Sequence, residues 1–285
     1  MKKIGLIDHY LDNWHANNLP RWLLDETGGE YQICYAWGSL PEGTVKPNGE
    51  GAKPSDVWCK EHGIELCANA AEVVEKSDVI MVLSPNNPEM HPELCRDAFK
   101  SGKRTYVDKT FATDAKAARM LIDMAKEGNT PMFSSSALRF STELKDVDRK
   151  GIKVISSRGP NSYDIYSIHQ IEMLVSLMGP NFTRVMGIGD MESPALVIEF
   201  EGGRYATMGH FGGQCSFNMA ISYENGEKKL IDECSDYFPN FVHDLIDFFE
   251  TGDVKAPYEE TVAVIAIREL GFKALANPGV WFDKE

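Results

Sequence analysis

Long apolar runs are missing from this chain. The longest wholly apolar stretches, 79–83 and 262–267, hold five and six residues, whereas a membrane span needs about 20. Positive charge is in deficit, with 29 basic residues against 43 acidic ones and a net charge of −14. Up to residue 128 there are 15 basic and 20 acidic residues, and beyond it 14 and 23. Neither half hides a basic domain. Nucleic acid and anionic membrane surfaces both require a cationic footprint, so neither is expected as a partner. The six cysteines, at 34, 59, 67, 95, 215 and 234, form no Cys-x-x-Cys pair, and reduced thiols in a cytoplasmic protein are expected. The apolar character of the first residues ends at Asp8, too early for a secretory signal peptide. No internal repeat is visible. No Gly-x-Ser-x-Gly elbow or Cys–His signature occurs, so nucleophilic hydrolysis has no support.

What is present is 285 residues, 43% hydrophobic and 25% charged, the balance of one large or two ordinary soluble domains. The first 128 residues alternate short apolar runs with helical patterns. Strands are expected at 4–7, 31–37, 64–66, 79–83 and 105–107, and a sixth at 134–136, its serine hydroxyls facing a polar cleft. Helices are expected at 18–26, 55–62, 70–76, 88–101 and 115–127. The last has Thr113 as its cap, an apolar stripe through Ala117, Ala118, Leu121, Met124 and Ala125, and Gly128 as its stop. Near-continuous β-branched strands separated by helices imply a parallel sheet covered on both faces. Right-handed crossovers then make this an α/β, doubly wound, Rossmann-like domain over 1–128.

The second half has a different grammar. Strands 195–200 and 204–209 flank Gly202-Gly203, and 217–223 and 228–231 flank Asn225-Gly226, both hairpin signals. Helices are expected at 169–178, 241–250 and 259–276. The reading is an α+β domain over 129–285 with a mostly antiparallel or mixed sheet, its closing helix able to pack back on the first domain. On 195–200, Leu196, Ile198 and Phe200 face one way and Val197, Glu199, with Glu201 beyond, the other. A sheet covered on one face only often pairs with a second copy, so a homo-dimer or homo-tetramer is expected.

One absence bears on chemistry. A doubly wound domain binds ligands beyond the carboxyl ends of its strands. After the first strand a dinucleotide site shows G-x-G-x-x-G; here stands Asp8-His9-Tyr10-Leu11-Asp12-Asn13-Trp14-His15. The tight turn, the close approach to a diphosphate and the helix–strand contact that glycines supply are not provided for, and Asp8 and Asp12 repel a diphosphate unless turned away. Pro20 places the start of the helix near residue 18, leaving a loop of about ten residues. Trp14 is expected to pack beneath the turn, with His9 and His15 lining it. Strand two ends Ala36-Trp37-Gly38, with no carboxylate for a ribose 2′-hydroxyl. Lys46 and Lys53 in the following loop could meet a 2′-phosphate, but solvated loop lysines are the plainer reading. His91 and Cys95 stand four apart, yet no third or fourth metal ligand follows at a recognised spacing, and no metal is expected.

The later strand ends carry more. Strand four runs into Ser84-Pro85-Asn86-Asn87-Pro88-Glu89-Met90-His91, and strand five into Asp108-Lys109-Thr110. With Ala137-Leu138-Arg139-Phe140 and Ile165-Tyr166-Ser167-Ile168-His169-Gln170-Ile171-Glu172, this block resembles the glucose–fructose oxidoreductase / inositol dehydrogenase (Gfo/Idh/MocA) family. There strand four is followed by Pro-x-x-x-His, strand five by Glu-Lys-Pro, and the second domain carries Asp-x-x-x-His-x-x-Asp. Here aspartate and threonine replace the glutamate and proline, and Ile165 stands where the family has an acid, Asp164 being displaced by one. The resemblance spans nearly the whole chain and departs at the first turn.

It implies a nicotinamide cofactor, NAD or NADP, over the strand ends, and a sugar, polyol or related small hydroxy-compound as substrate, the chain acting as an oxidoreductase. Lys109 would polarise the reacting oxygen and His169 accept or return its proton. Ser84, Asn87, His91, Asp108 and Lys109 would hold the cofactor, with Asp8, His9, Trp14 and His15 at the altered turn. Arg139, Tyr166 and Glu172 would contact substrate. A non-catalytic ligand-binding or regulatory protein that has lost cofactor binding, and an enzyme that keeps its cofactor for a redox-neutral reaction, are the alternatives.

Overall fold

Five short strands with little polar alternation can be buried only in a sheet covered on both faces, and this is how the first part of the chain folds. The computed structural model describes residues 1–284 except 42, 44, 47 and 48. It divides into two compact units, Met1–Ser135 with Val242–Lys255, and Ser136–Phe241 with Ala256–Glu285. The first unit runs β1 (Lys2–Asp8), α1 (Trp14–Thr27), β2 (Tyr31–Gly38), α2 (Ser55–His62), β3 (Glu65–Leu66), α3 (Ala70–Lys76), β4 (Val79–Val82), α4 (His91–Leu94), α5 (Arg96–Lys100), β5 (Thr105–Val107), α6 (Ala115–Glu127) and β6 (Met132–Phe133). Its sheet has the order β3-β2-β1-β4-β5-β6, with every neighbouring pair parallel. Ile4, Leu6 and Ile7 of β1 and Ile80, Met81 and Val82 of β4 are fully buried. Gly5 lets α3 and the residues after it lie close on β1, since a Cβ there would collide with Ser77 and Val73. The strand order reverses between β1 and β4, and the crevice beyond their carboxyl ends is where such sheets take ligands.

Several local expectations change. Helix α1 begins at Trp14 and carries Pro20 inside it, because Asn13 caps its first turn by accepting from the Ala16 amide. The loop before it is therefore five residues rather than ten. The helix expected over 88–101 breaks into a short 3-10 turn (Pro88–Met90), α4 and α5. Asp114, not Thr113, caps α6, accepting from Ala117 N at 2.8 Å. The sixth strand is Met132–Phe133, and the three serines follow it as buried loop.

The second unit contains α7 (Thr142–Lys145), β7 (Ile152–Gly159), α8 (Tyr163–Met178), β8 (Phe182–Ile188), β9 (Ala195–Phe200), β10 (Arg204–His210), β11 (Asn218–Tyr223), β12 (Lys228–Ile231), the start of α9 (Tyr237–Thr251), α10 (Tyr258–Leu275) and β13 (Trp281–Asp283). Its sheet is mixed, in the order β12-β11-β7-β10-β9-β8-β13. Only β7 and β10 pair in parallel. Both expected hairpins form, around Gly202-Gly203 and Asn225-Gly226. Helices α8 and α10 pack together, α10 also lying on β8 and β9. Gly271 of α10 leaves room for the Tyr163 ring of α8. The closing helix thus packs within its own unit; it is 242–255 that joins the first unit, where Arg104 donates to the Phe249 and Glu250 carbonyls. Leu196, Ile198 and Phe200 are buried, while Val197 and Glu199 point to the other face.

Candidate functional site

The first turn answers the charge objection by folding its acids inward. Asp8, at the end of β1, is fully buried. Its Oδ1 accepts from the His9 amide and its Oδ2 from Asn13 Nδ2, both at 2.7 Å. Burial pushes its carboxyl up to about 8, with nearby Asp108 adding to the rise and the Asn13, His9 and Tyr10 donors only partly opposing it. At neutral pH this carboxyl is mainly uncharged. Asp12 pairs with Lys46 at 2.8 Å; burial works most strongly against its charge, but Lys46, Asn17 and Lys53 together outweigh it and hold the carboxyl below the usual range. Tyr10, Leu11 and Asn13 are buried, so their side chains do not stand on the turn's outer surface.

The raised Asp8 has a measurable consequence for stability. Below about pH 4 the folded and unfolded chains both hold this proton. As pH climbs from there toward 8 the unfolded chain loses it and the folded chain keeps it, so stability falls across that window. A shift of this size corresponds to up to about 6 kcal/mol at ~1.36 kcal/mol per pH unit. Urea unfolding at pH 5 and pH 8 is expected to show wild type losing several kcal/mol relative to Asp8→Asn. Parallel curves for the two proteins would contradict the assignment.

Other first-turn residues sit as follows. His15, on the first turn of α1, places Nδ1 2.5 Å from Asp108 Oδ2. Trp14 is 55% exposed, edge-on to the His15 and Trp22 rings, beside the turn rather than beneath it. His9 Nδ1 lies 2.8 Å from Ser39 Oγ, and burial holds its pKa down, against the pull of Glu89 and Glu93.

The ends of β4 and β5 are built from backbone-bound polar side chains. Ser84 is buried with φ +80, and its hydroxyl donates to the Asn87 carbonyl at 3.1 Å. Asn87 donates to Glu89 at 2.9 Å, leaving its Oδ1 buried without a hydrogen-bond partner. His91 is fully buried, Nδ1 2.8 Å from the Phe111 carbonyl and Nε2 2.6 Å from that of Leu83. Both ring nitrogens face backbone, so His91 ties the loops together instead of lining a cofactor site. Asp108 Oδ1 accepts from the Lys109 amide at 2.8 Å, and the Tyr106 hydroxyl lies 3.1 Å away. Burial alone would raise the Asp108 carboxyl, but His15, Lys109 and Tyr106 together hold it below its ordinary value. Lys109 itself is 8% exposed, and the peptide joining it to Thr110 is cis. Lys53 pairs with Glu61 at 2.6 Å, so both loop lysines considered for a 2′-phosphate are engaged by acids. Among the described residues, no group of three or more His, Cys, Asp or Glu side chains is placed to hold a metal ion, and no helix is long and apolar enough to cross a membrane.

In the second unit, His169 lies in the second turn of α8, which starts six residues earlier than the pattern suggested. Its Nδ1 is 2.7 Å from Ser136 Oγ. That hydroxyl also accepts from the Leu138 amide, and it can accept from Nδ1–H or donate to a bare Nδ1. It therefore supports the imidazole before and after a proton moves. The displaced acid plays no such part: Asp164 is exposed and accepts from Ser162 and the Ile165 amide. Ser136 had no signal in any spacing. Tyr166 and Phe217 pack against the His169 ring. Arg139 and Glu172 turn toward each other: Arg139 Nε reaches Glu172 at 2.6 Å and Nη1 reaches Glu260 at 2.7 Å, with the arginine side chain 9% exposed. Burial would lower the arginine pKa, yet the two carboxylates raise it overall. This buried triad joins α8, α10 and the Ala137–Phe140 turn, so Arg139 and Glu172 position α8; only Arg139 Nη2, buried and without a hydrogen-bond partner, is left over.

Residues 42–135 match the model of an oxidoreductase family with an NAD-binding Rossmann fold, GFO_IDH_MocA. The match begins beyond the altered turn. No curated protein sequence matches the chain. Among solved structures, a probable dehydrogenase from Thermotoga maritima aligns at TM-score 0.78 and 14% identity over 99% of this chain and 98% of its own. Myo-inositol 2-dehydrogenase from Lactobacillus plantarum aligns at 0.74 and 14% over 100% and 99%. An oxidoreductase from Agrobacterium radiobacter, solved with NAD+, L-tartaric acid and magnesium, aligns at 0.69 and 13% over 99% and 98%. At these identities the likeness is one of fold.

Proposed function

We propose that this chain, whose residues 42–135 belong to the Gfo/Idh/MocA oxidoreductase family, transfers hydride between a nicotinamide cofactor and a sugar, polyol or related small hydroxy-compound. The observation that carries the reading is Lys109, held by its amide on Asp108 at the end of β5, one strand from the point where the sheet order reverses.

The first unit is compatible with the cofactor. The acids at the first turn are neutralised or paired, and the bulky side chains at 10, 11 and 13 turn inward. Ser84, Asn87, Asp108 and Lys109 are the residues that would hold it at the strand ends, with His15 and His9 at the turn. When bound, a nicotinamide supplies the acceptor or donor of hydride. The chain's own part is to bind, polarise and move a proton. The Lys109 ammonium hydrogen-bonds the reacting oxygen and stabilises negative charge on it. His169, steadied by Ser136, takes the hydroxyl proton or returns it. Tyr166, beside His169 on α8, is the remaining substrate contact.

Saturable quenching or energy transfer from the five tryptophans on adding NADH or NADPH is the expected result. Silence at millimolar cofactor would favour a ligand-binding protein. Turnover with no net change at 340 nm would indicate a redox-neutral reaction. We further propose that the face of the second sheet bearing Val197 and Glu199 pairs with a second copy of the chain. Light scattering at micromolar concentration should then give the mass of a dimer or tetramer, and a monomer mass would end this part of the reading.

A further inference from the structure

At the turn where glycines usually meet a diphosphate, this chain has an imidazole held by a buried carboxylate. We propose that His15, oriented by Asp108, is the group that binds the diphosphate of the dinucleotide. The proposal rests on the cofactor reading above and adds the residue that replaces the glycine turn.

Three observations carry it. The first is the pair itself. His15 Nδ1 lies 2.5 Å from Asp108 Oδ2, with the histidine side chain 18% exposed and the aspartate 1%. Asp108 is fixed in turn, its Oδ1 receiving the Lys109 amide and lying beside the Tyr106 hydroxyl. A buried carboxylate this close fixes where the ring sits, although Asp108 Oδ2 takes no hydrogen bond of good geometry. The second is the other edge of the ring. Nε2 has no hydrogen-bond partner among the described residues, and it is not among the buried unpartnered atoms, so solvent or a ligand reaches it. The third is the charge around it. Asp8, beneath the turn, is closed off by Asn13 and the His9 amide. Asp12 is paired with Lys46. Neither acid of the turn itself stands bare; Glu89 and Glu93, which act on His9 from the neighbouring segment, are the carboxylates that remain near.

An imidazole N–H at Nε2 donates to a phosphate oxygen, and hydrogen bonds to a charged acceptor are the stronger kind. Asp108 acts through His15 and is a positioning residue. A glycine turn offers backbone amides to any anion that fits; here one side chain performs the task, and its substitution should be felt directly.

The test is binding, measured by calorimetry with NADH and with ADP-ribose, which carries the diphosphate but no nicotinamide. His15→Asn is expected to raise Kd for both probes by about 10- to 100-fold. It should leave the far-ultraviolet circular dichroism unchanged, since residue 15 lies on the partly exposed first turn of α1. In the wild-type protein, ADP-ribose should shift the ring ¹⁵N resonance of His15 Nε2. In Asp108→Asn, the Nδ1 resonance should move even without ligand, because the carboxylate 2.5 Å away is gone, a change that a merely structural aspartate would not cause. If Kd in His15→Asn stays within twofold for both probes while wild type binds, the assignment to His15 is wrong and the cofactor reading stands. If wild type binds neither probe at millimolar concentration, both are wrong.

Discussion

Lys109→Ala is expected to lower kcat by about 10²–10⁴-fold with any sugar or polyol that supports NADH formation, and His169→Ala by a similar factor. Lys109 sits at a strand terminus with its backbone tied to Asp108, a hydrogen bond of the amide that alanine keeps. The loss should fall mainly on kcat, because charge on the substrate oxygen develops in the transition state rather than on binding. His169 lies on a well-packed helix, and alanine there removes the ring but not the helix. Steady-state kinetics with circular dichroism on the same samples is the measurement. Near-normal turnover in both single variants would remove the assignment.

A large loss of stability at neutral pH is expected on replacing Arg139. Replacing it with alanine removes the cation that both Glu172, 4% exposed, and Glu260, 17% exposed, pair with. Breaking a buried pair from one side typically costs about 3–5 kcal/mol, because the remaining charge is left uncompensated. Urea unfolding at pH 7 should show a loss of that order for Arg139→Ala. Combining Arg139→Met with Glu172→Gln should recover part of it. A single variant as stable as wild type would mean that the triad contributes nothing measurable.

Periodicity made much of the first unit legible. The strands at 4–7, 31–37 and 105–107 and the helices at 55–62, 70–76 and 115–127 lie close to where the apolar pattern put them. The pattern worked there because each element shows a consistent face to one parallel sheet. It failed on α8, whose onset was read six residues late. Twelve of its sixteen residues are buried, and a helix covered nearly all round has no polar face to mark its phase. Strands β7, β8 and β13 went unread although Gly159-Pro160, Gly179-Pro180 and Pro278-Gly279 stand beside them; a turn marker on one side, without a matching apolar run across a tight hairpin, does not identify a strand. Pro20 misled because proline usually ends a helix, but the Asn13 cap starts this one far enough upstream to carry proline within it.

The amino-acid sequence by itself determined the α/β class, the change of grammar between the two halves, the family likeness around Lys109, and the loss of the glycine turn. These are properties of residue order along one segment. Tertiary structure alone decided the fate of the charges. It buried Asp8 and raised its pKa, set His15 against Asp108 across 93 positions of chain, gave His169 a serine in place of an acid, and locked Arg139 between Glu172 and Glu260. The reason is physical: the state of a charge depends on what lies within a few ångströms and on how much water is excluded, and neither can be read from neighbours in sequence.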